Sequence, residues 1–334
     1  MYKLSILAAT NRIIDISSFG VSILHLHVMK PSILILYYSQ TGQLRSILDS
    51  LFSEQQTACD IDIVEIMPRV NFPFPWKAAD FFDCMPESVL QIPEAIEPIS
   101  FSDKKYDLIV LGYQPWFLSP SIPFNSFLHS TDAKFLQGKN ILTVIGSRNM
   151  WLNAQEKTKE QLIALNAHLV GNIVFFDRSP NLTSVLTIMR WTFKGQKQAS
   201  KRMPEAGVRQ QDIDDAKRFG ATIIECIEQK NLHQLHEKLL AQDGVELNPA
   251  LVVLEKRGIT NFRKFAPWIR AKGERGDQAR RGRVQLFGSL LFVGVFILSP
   301  ISSCTARLTA LFNKRKLMRE VEYFKNIGFR KKAL

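Results

Sequence analysis

The residues best suited to chemistry begin at Ser39-Gln40-Thr41-Gly42-Gln43-Leu44. Two hydroxyls and a glycine sit between a short apolar, aromatic run (33–38) and an amphipathic stretch (45–52). That order predicts strand, polar turn, helix start. Amide N–H groups at a helix start lack partners and carry the positive end of the dipole, so they suit a phosphate. Ser39 and Thr41 add hydroxyl donors, and Gly42 allows close approach of an anion. The alternative is an ordinary turn after a strand. Two further segments carry polar or aromatic side chains after apolar runs. They are Pro115-Trp116-Phe117 and Gly146-Ser147-Arg148-Asn149-Met150-Trp151. Arg148 would face the helix dipole unfavourably if it merely sat at a helix start, which favours a functional role for it.

The elements that must position these residues follow from periodicity. Residues 33–38, 61–66, 106–113, 139–146 and 171–177 read as strands, and 61–66 alternates as an edge strand does. Helices are expected at 45–52, 153–169 and 212–228, with 77–85 and 182–193 also helix-compatible. The prolines of Phe72-Pro73-Phe74-Pro75-Trp76 forbid a regular helix start there. Five strands alternating with helices predict an α/β doubly wound parallel sheet, whose ligands bind beyond the carboxyl ends of the strands. The three candidate loops all lie at that edge. Trp116 either borders a bound ring or packs beneath its own loop.

The similarity is specific enough to name a family. Ser39 to Gln43 after the first strand resembles the phosphate loop of the flavodoxin family, departing from it at Leu44, where the family often has Thr or Ser. The resemblance implies a flavodoxin-like five-stranded sheet of order 2-1-3-4-5 and FMN as cofactor. It implies cofactor-binding roles for Ser39, Gln40, Thr41, Gly42, Gln43, Leu44, Pro115, Trp116, Phe117, Gly146, Ser147, Arg148, Asn149 and Trp151. Arg148 is also the catalytic candidate, pairing with a flavin carbonyl, a nicotinamide cofactor phosphate or a substrate oxygen. NAD(P)H could dock transiently as electron donor. The segments 37–44, 146–156 and 202–208 further resemble bacterial proteins named dialkylresorcinol condensing enzymes. Those belong to pathways that join two acyl chains into a ring and aromatise it, with a ketosynthase as the expected partner. The expected activity is an FMN-dependent oxidoreductase acting on a hydrophobic acyl-derived ring. An NAD(P)H-dependent quinone or flavin reductase and a non-catalytic flavodoxin-fold scaffold are the alternatives.

Around the FMN-binding domain, expected at 29–230, the chain carries extensions. Residues 1–28 are apolar but broken by Thr10-Asn11-Arg12 and Asp15, an extension of doubtful order. An insertion at 178–211 is too apolar to be disordered and reads as a lid, a lipid-like substrate wall or an extra packing helix. A helical subdomain is expected at 231–273. His233 and His236 lack a third nearby ligand, and no CxxC pair exists among the four cysteines, so no metal is expected. Widely scattered cysteines fit a reducing, cytoplasmic compartment.

Charge is unevenly placed. Residues 255–334 hold 19 Lys+Arg against 5 Asp+Glu, while residues 1–254 hold 24 against 26. Within the basic tail, expected at 274–334, the segment 284–306 has no charged residue. Its apolar length barely suffices for a span, and basic flanks on both sides do not select an orientation. A membrane-embedded or re-entrant anchor bent near Pro300 is expected, with both flanks on the anionic inner face of the membrane. A buried core helix is the alternative. Charges that bracket an apolar segment argue against nucleic acid as partner.

Overall fold

The computed structural model describes residues 30–298, 305 and 313–330. The expectation for 1–28, the bend at Pro300 and most of the segment after Leu298 lie outside those residues. Residues described after Lys30 belong to one compact unit.

Strand β1 (Ser32–Tyr37) is apolar on both faces because it lies inside a sheet covered on both sides. It pairs in parallel with β2 (Asp60–Glu65) and with β3 (Leu108–Tyr113). Beyond these lie β6 (Asn140–Ser147) and β7 (His168–Phe176), also parallel. The order is β2-β1-β3-β6-β7. Discounting the small hairpin β4 (Pro115–Trp116) and β5 (Ser119–Pro120), this is the flavodoxin-like order 2-1-3-4-5. Helix α1 (Gln43–Leu51) buries Leu44, Ile47, Leu48 and Leu51, the i, i+3, i+4, i+7 stripe of an amphipathic helix.

Alternation along β1 divides the core. Ile33, Ile35 and Tyr37 pack with α1, α8 (Arg218–Glu228) and α9 (Leu235–Ala241). Leu34, Leu36 and Tyr38 face the opposite layer, which includes α4 (Ile122–Leu128), α5 (Leu152–Ala164) and α12 (Lys314–Lys325). Two boundaries differ from expectation. Helix α5 stops at Ala164 rather than 169, because Asn166 takes a positive φ of 54° and turns the chain into β7. Strand β7 accordingly begins at His168, three residues before 171.

The insertion contributes helix α6 (Asn181–Lys194), followed by α7 (Gln210–Asp214). Beyond α9, the long helix α10 (Pro249–Arg270) starts at Asn248, whose side chain accepts a 3.0 Å hydrogen bond from the Ala250 N–H. It packs against α5, α12 and α3 (Met85–Leu90), the partner of the short α2 (Ala78–Asp83). Helix α11 (Arg281–Val293) closes this side. Its Val284 and Phe287 join Met85, Val89, Ile259 and Ile269 in a third apolar cluster. The first part of the expected anchor is therefore a partly buried helix, although Leu286, Leu290, Phe292 and Val293 on it are exposed. Among the described residues, no helix is long and apolar enough to cross a membrane. The His236 Nε2–H donates to the Lys325 carbonyl at 3.0 Å.

Arg280 joins this C-terminal layer to α2 and α3. Its guanidinium is fully buried, at 2.6 Å from Asp83 Oδ1 and at 2.7 and 3.0 Å from the two Glu87 oxygens. Arg280→Met removes the nearest cation from the buried Glu87 and the part-exposed Asp83, leaving Glu87 with only Arg270 at 3.8 Å among the described residues. The expected loss is about 3–5 kcal/mol of unfolding free energy, read as a lower urea midpoint; an unchanged midpoint would show that this pair does not hold α11 in place.

Candidate functional site

The three loops expected at the carboxyl edge do converge. They enclose a cavity of about 220 Å³ lined by Gln40, Thr41, Gln43 and Leu44, by Gln114 to Phe117, and by Gly146, Ser147 and Arg148. Ser39, Gly42, Asn149 and Trp151 are not in its lining. The Ser39 Oγ instead accepts from the Arg45 N–H at 3.4 Å, inside the first turn of α1. Gly42 precedes that turn with φ 76°, a conformation that favours glycine. The N–H groups of Gly42 and Leu44 meet no acceptor among the described residues, and the Thr41 Oγ1 reaches the Gln43 N–H only at 3.5 Å. Ser147 Oγ is buried without a partner. The loop therefore offers anion donors, and the end of β6 offers a hydroxyl.

Trp116 packs beneath its own loop and also has a face on the cavity. It packs edge-on against Tyr38, Phe72 and Trp76 at 5.0–5.9 Å between ring centroids, and it lines the cavity. The proline-rich 72–76 segment, read in sequence only as non-helical, supplies Phe74 and Trp76 to the same wall. The hairpin that carries Trp116 turns at Phe117 and Leu118, both with positive φ (46° and 63°). Such two-residue turns normally use Asn and Gly. Here the larger side chains are retained and line a cavity.

Three expected cofactor residues, Gln43, Arg148 and Asn149, hold the insertion. The Gln43 amide clasps the Val208 backbone, donating to its carbonyl at 2.9 Å and accepting from its N–H at 3.0 Å. Gly207 (φ +80°) makes room for this, since a Cβ there would lie 2.6 Å from the Gln43 Oε1. At the other end, Asn181 Oδ1 accepts from Arg148 at 2.8 Å and from Asn149 at 3.2 Å. In between, the Trp76 N–H donates to the Thr192 carbonyl at 2.8 Å. Helix α6 is thereby docked over the cavity, where Ile188, Trp191 and Thr192 form its roof. Sequence patterning showed an apolar helix but not these side-chain-to-backbone contacts, which join residues far apart in the chain.

Arg148 is half-buried. The Asp177 N–H donates to the carbonyls of Ser147 and Arg148, at 3.3 and 2.7 Å, and so fixes the loop. Burial pulls the guanidinium down to about 10, against the opposing pull of Asp177 and Glu255. Among the described residues no carboxylate comes within ion-pair distance of it.

Glu255 was not anticipated. It comes from α10, is 1% exposed, and takes the Asn153 N–H at 2.8 Å at the start of α5. The Asn153 side chain donates to the Leu118 carbonyl at 2.8 Å and accepts from Arg263 at 2.9 Å. The hairpin, α5 and α10 thus meet directly behind Arg148.

No protein-family model matches the sequence, and no curated protein is found as a relative. Among solved structures, the chain is similar to a candidate flavoprotein from Bacteroides eggerthii DSM 20697, at 19% identity over 44% of this chain and 89% of that one, with a TM-score of 0.35. It is also similar to a flavoprotein in complex with FMN from Lactobacillus acidophilus NCFM, at 19% identity over 43% and 93%, with a TM-score of 0.34.

Burial raises the Glu255 carboxyl from 4.5 to about 7, opposed by the backbone N–H groups of Asn153, Leu152 and Trp151 and by Arg148. The folded state therefore keeps a proton that the unfolded chain releases. This contribution to stability is fully present below about pH 4.5 and is lost as pH rises through about 7. Glu255→Gln removes that loss, which is on the order of 3 kcal/mol. Urea midpoints measured across this window should fall with pH in the natural protein and fall less in the variant. Parallel curves would show that Glu255 does not titrate there.

Proposed function

We propose that this protein is a flavin-binding oxidoreductase holding FMN in the cavity at the carboxyl edge of the sheet. The observation that carries the reading is the convergence there of an anion-receptive helix start, an aromatic wall and one arginine. When bound, FMN supplies hydride and electron transfer. The chain's own residues bind and orient it. The Leu44 N–H and the Thr41 hydroxyl, both in the lining, would take the phosphate beside Gly42. Pro115, Trp116 and Phe117 would form the apolar wall for the ring, with Ser147 adding a donor. Ile188 and Thr192 exclude water above them. Arg148 presents a cation to an oxygen that gains negative charge, on the flavin or on the substrate.

The finer reading rests on the resemblance at 37–44, 146–156 and 202–208. It places the reaction on a hydrophobic acyl-derived ring in dialkylresorcinol-type biosynthesis, with a ketosynthase as partner. Exposed Leu182 and Leu186 on α6, with Leu286, Leu290, Phe292 and Val293 on α11, support work at a membrane surface. Basic residues on either side of α11 add attraction to anionic lipid.

Purified protein should be yellow and should show visible flavin bands. Gly42→Asp should weaken FMN binding at least about tenfold, because it sets a carboxylate against the phosphate. An added Cβ at Gly42 meets no atom within 4 Å, so Gly42→Ala separates the charge effect from backbone strain at positive φ. Full FMN affinity in Gly42→Asp would sink the assignment. Consumption of NAD(P)H by the flavin-loaded protein would favour the reductase form of this activity.

A further inference from the structure

A second cavity, of about 260 Å³, lies beside the first. The two share Phe81, Pro115, Phe117, Arg148, Ile188 and Thr192 as lining. The remainder of the second lining is apolar. Val185 and Met189 of α6 face it, as do Leu291 and Phe292 of α11 and the helical turn Gly294–Leu298 that continues α11, through Val295 and Phe296. None of these six lines the first cavity. Among all the lining residues, Arg148 is the one charged side chain and Thr192 the one other polar side chain.

We propose that this cavity binds the chain of an amphiphile whose carboxylate pairs with the Arg148 guanidinium. The argument starts from the cation. Arg148 donates to Asn181 Oδ1 at 2.8 Å and contacts Met150 Sδ at 3.8 Å, which leaves further N–H donors on the guanidinium. A half-buried cation in an apolar wall, with no carboxylate at ion-pair distance among the described residues, is short of charge compensation. An anionic head supplies it in a bidentate geometry that a guanidinium favours. The apolar remainder fits a hydrocarbon body, since nothing else in the lining offers the donors and acceptors that a sugar, base or peptide backbone needs. A neutral hydrocarbon would fill the space but leave Arg148 desolvated. The placement of the carboxylate end beside the flavin rests on the function proposed above; binding of the amphiphile itself does not.

The test uses the full chain and cis-parinaric acid, a fluorescent polyunsaturated fatty acid, competed by dodecanoate, dodecanol or methyl dodecanoate. FMN affinity is measured separately, by quenching of flavin fluorescence. Dodecanoate should compete at least about tenfold better than the alcohol or the ester. Arg148→Met should erase that preference while leaving dodecanol competition in place. Met189→Trp fills the second cavity without touching the first, and should abolish cis-parinarate binding with FMN affinity retained. Val185→Trp provides an independent obstruction should Met189→Trp fail to fold. Equal competition by dodecanoate and dodecanol, or undiminished cis-parinarate binding in a folded variant with the cavity filled, overturns the proposal. Failure to take up FMN alongside normal cis-parinarate binding overturns the flavin reading alone.

Discussion

The buried carboxylate of Glu255 sits where the amide groups that open α5 have no helical partners. It meets the positive end of that helix and satisfies donors that would otherwise be stranded away from water. Because Glu255 belongs to α10, this contact commits the C-terminal layer to the sheet at the point where β6 ends. Asn153 extends the junction to the Leu118 carbonyl of the hairpin and to Arg263. The loop carrying Arg148 is then held from three sides. Without α10, the start of α5 would need water or another side chain to take those N–H groups.

The two cavities differ in chemistry because they are built from different parts of the chain. The first is made from loops at strand ends, where backbone donors are exposed by the geometry of a parallel sheet. The second is made from elements laid against that edge: the hairpin turn, α6 and the end of α11. Most of its walls are side chains on helices, whose backbone groups are already paired, so they offer apolar surface almost exclusively. Positive φ at Phe117 and Leu118 costs on the order of 1–2 kcal/mol for each residue. Burial of the two side chains against Phe81, Phe262 and α10 offsets that cost.

The basic composition of the last eighty residues acquires a different meaning in the folded chain. Arg275 pairs with Glu94, Arg280 with Asp83 and Glu87, and Lys256 with Glu320. Several of the cations therefore bind the C-terminal layer to the domain or to itself. The charge that remains for an external surface is smaller than the sequence count implies. The exposed leucines and Phe292 near the second cavity are among the apolar residues of this layer that internal packing does not use.

Much of the fold was legible in the sequence for local reasons. The apolar runs that become β1, β3, β6 and β7 must be covered on both faces, which requires parallel strands joined by helices. The hydroxyl- and glycine-containing turn before α1 marks one end of the first cavity by its residue types alone, and Trp116 and Arg148 follow from their place after strands. Boundaries such as Ala164 depended on a left-handed Asn166, whose conformation periodicity does not encode. The rest required tertiary structure. Gln43 has the same chemistry whether it faces a phosphate or clasps Val208, and only the path of the insertion decides that it clasps. Glu255 reads as one more charge on an amphipathic helix until α10 is laid across the start of α5. The second cavity has no sequence signature, because its walls come from segments about two hundred residues apart, and apolar side chains on helices look the same whether they face a core, a ligand or a membrane.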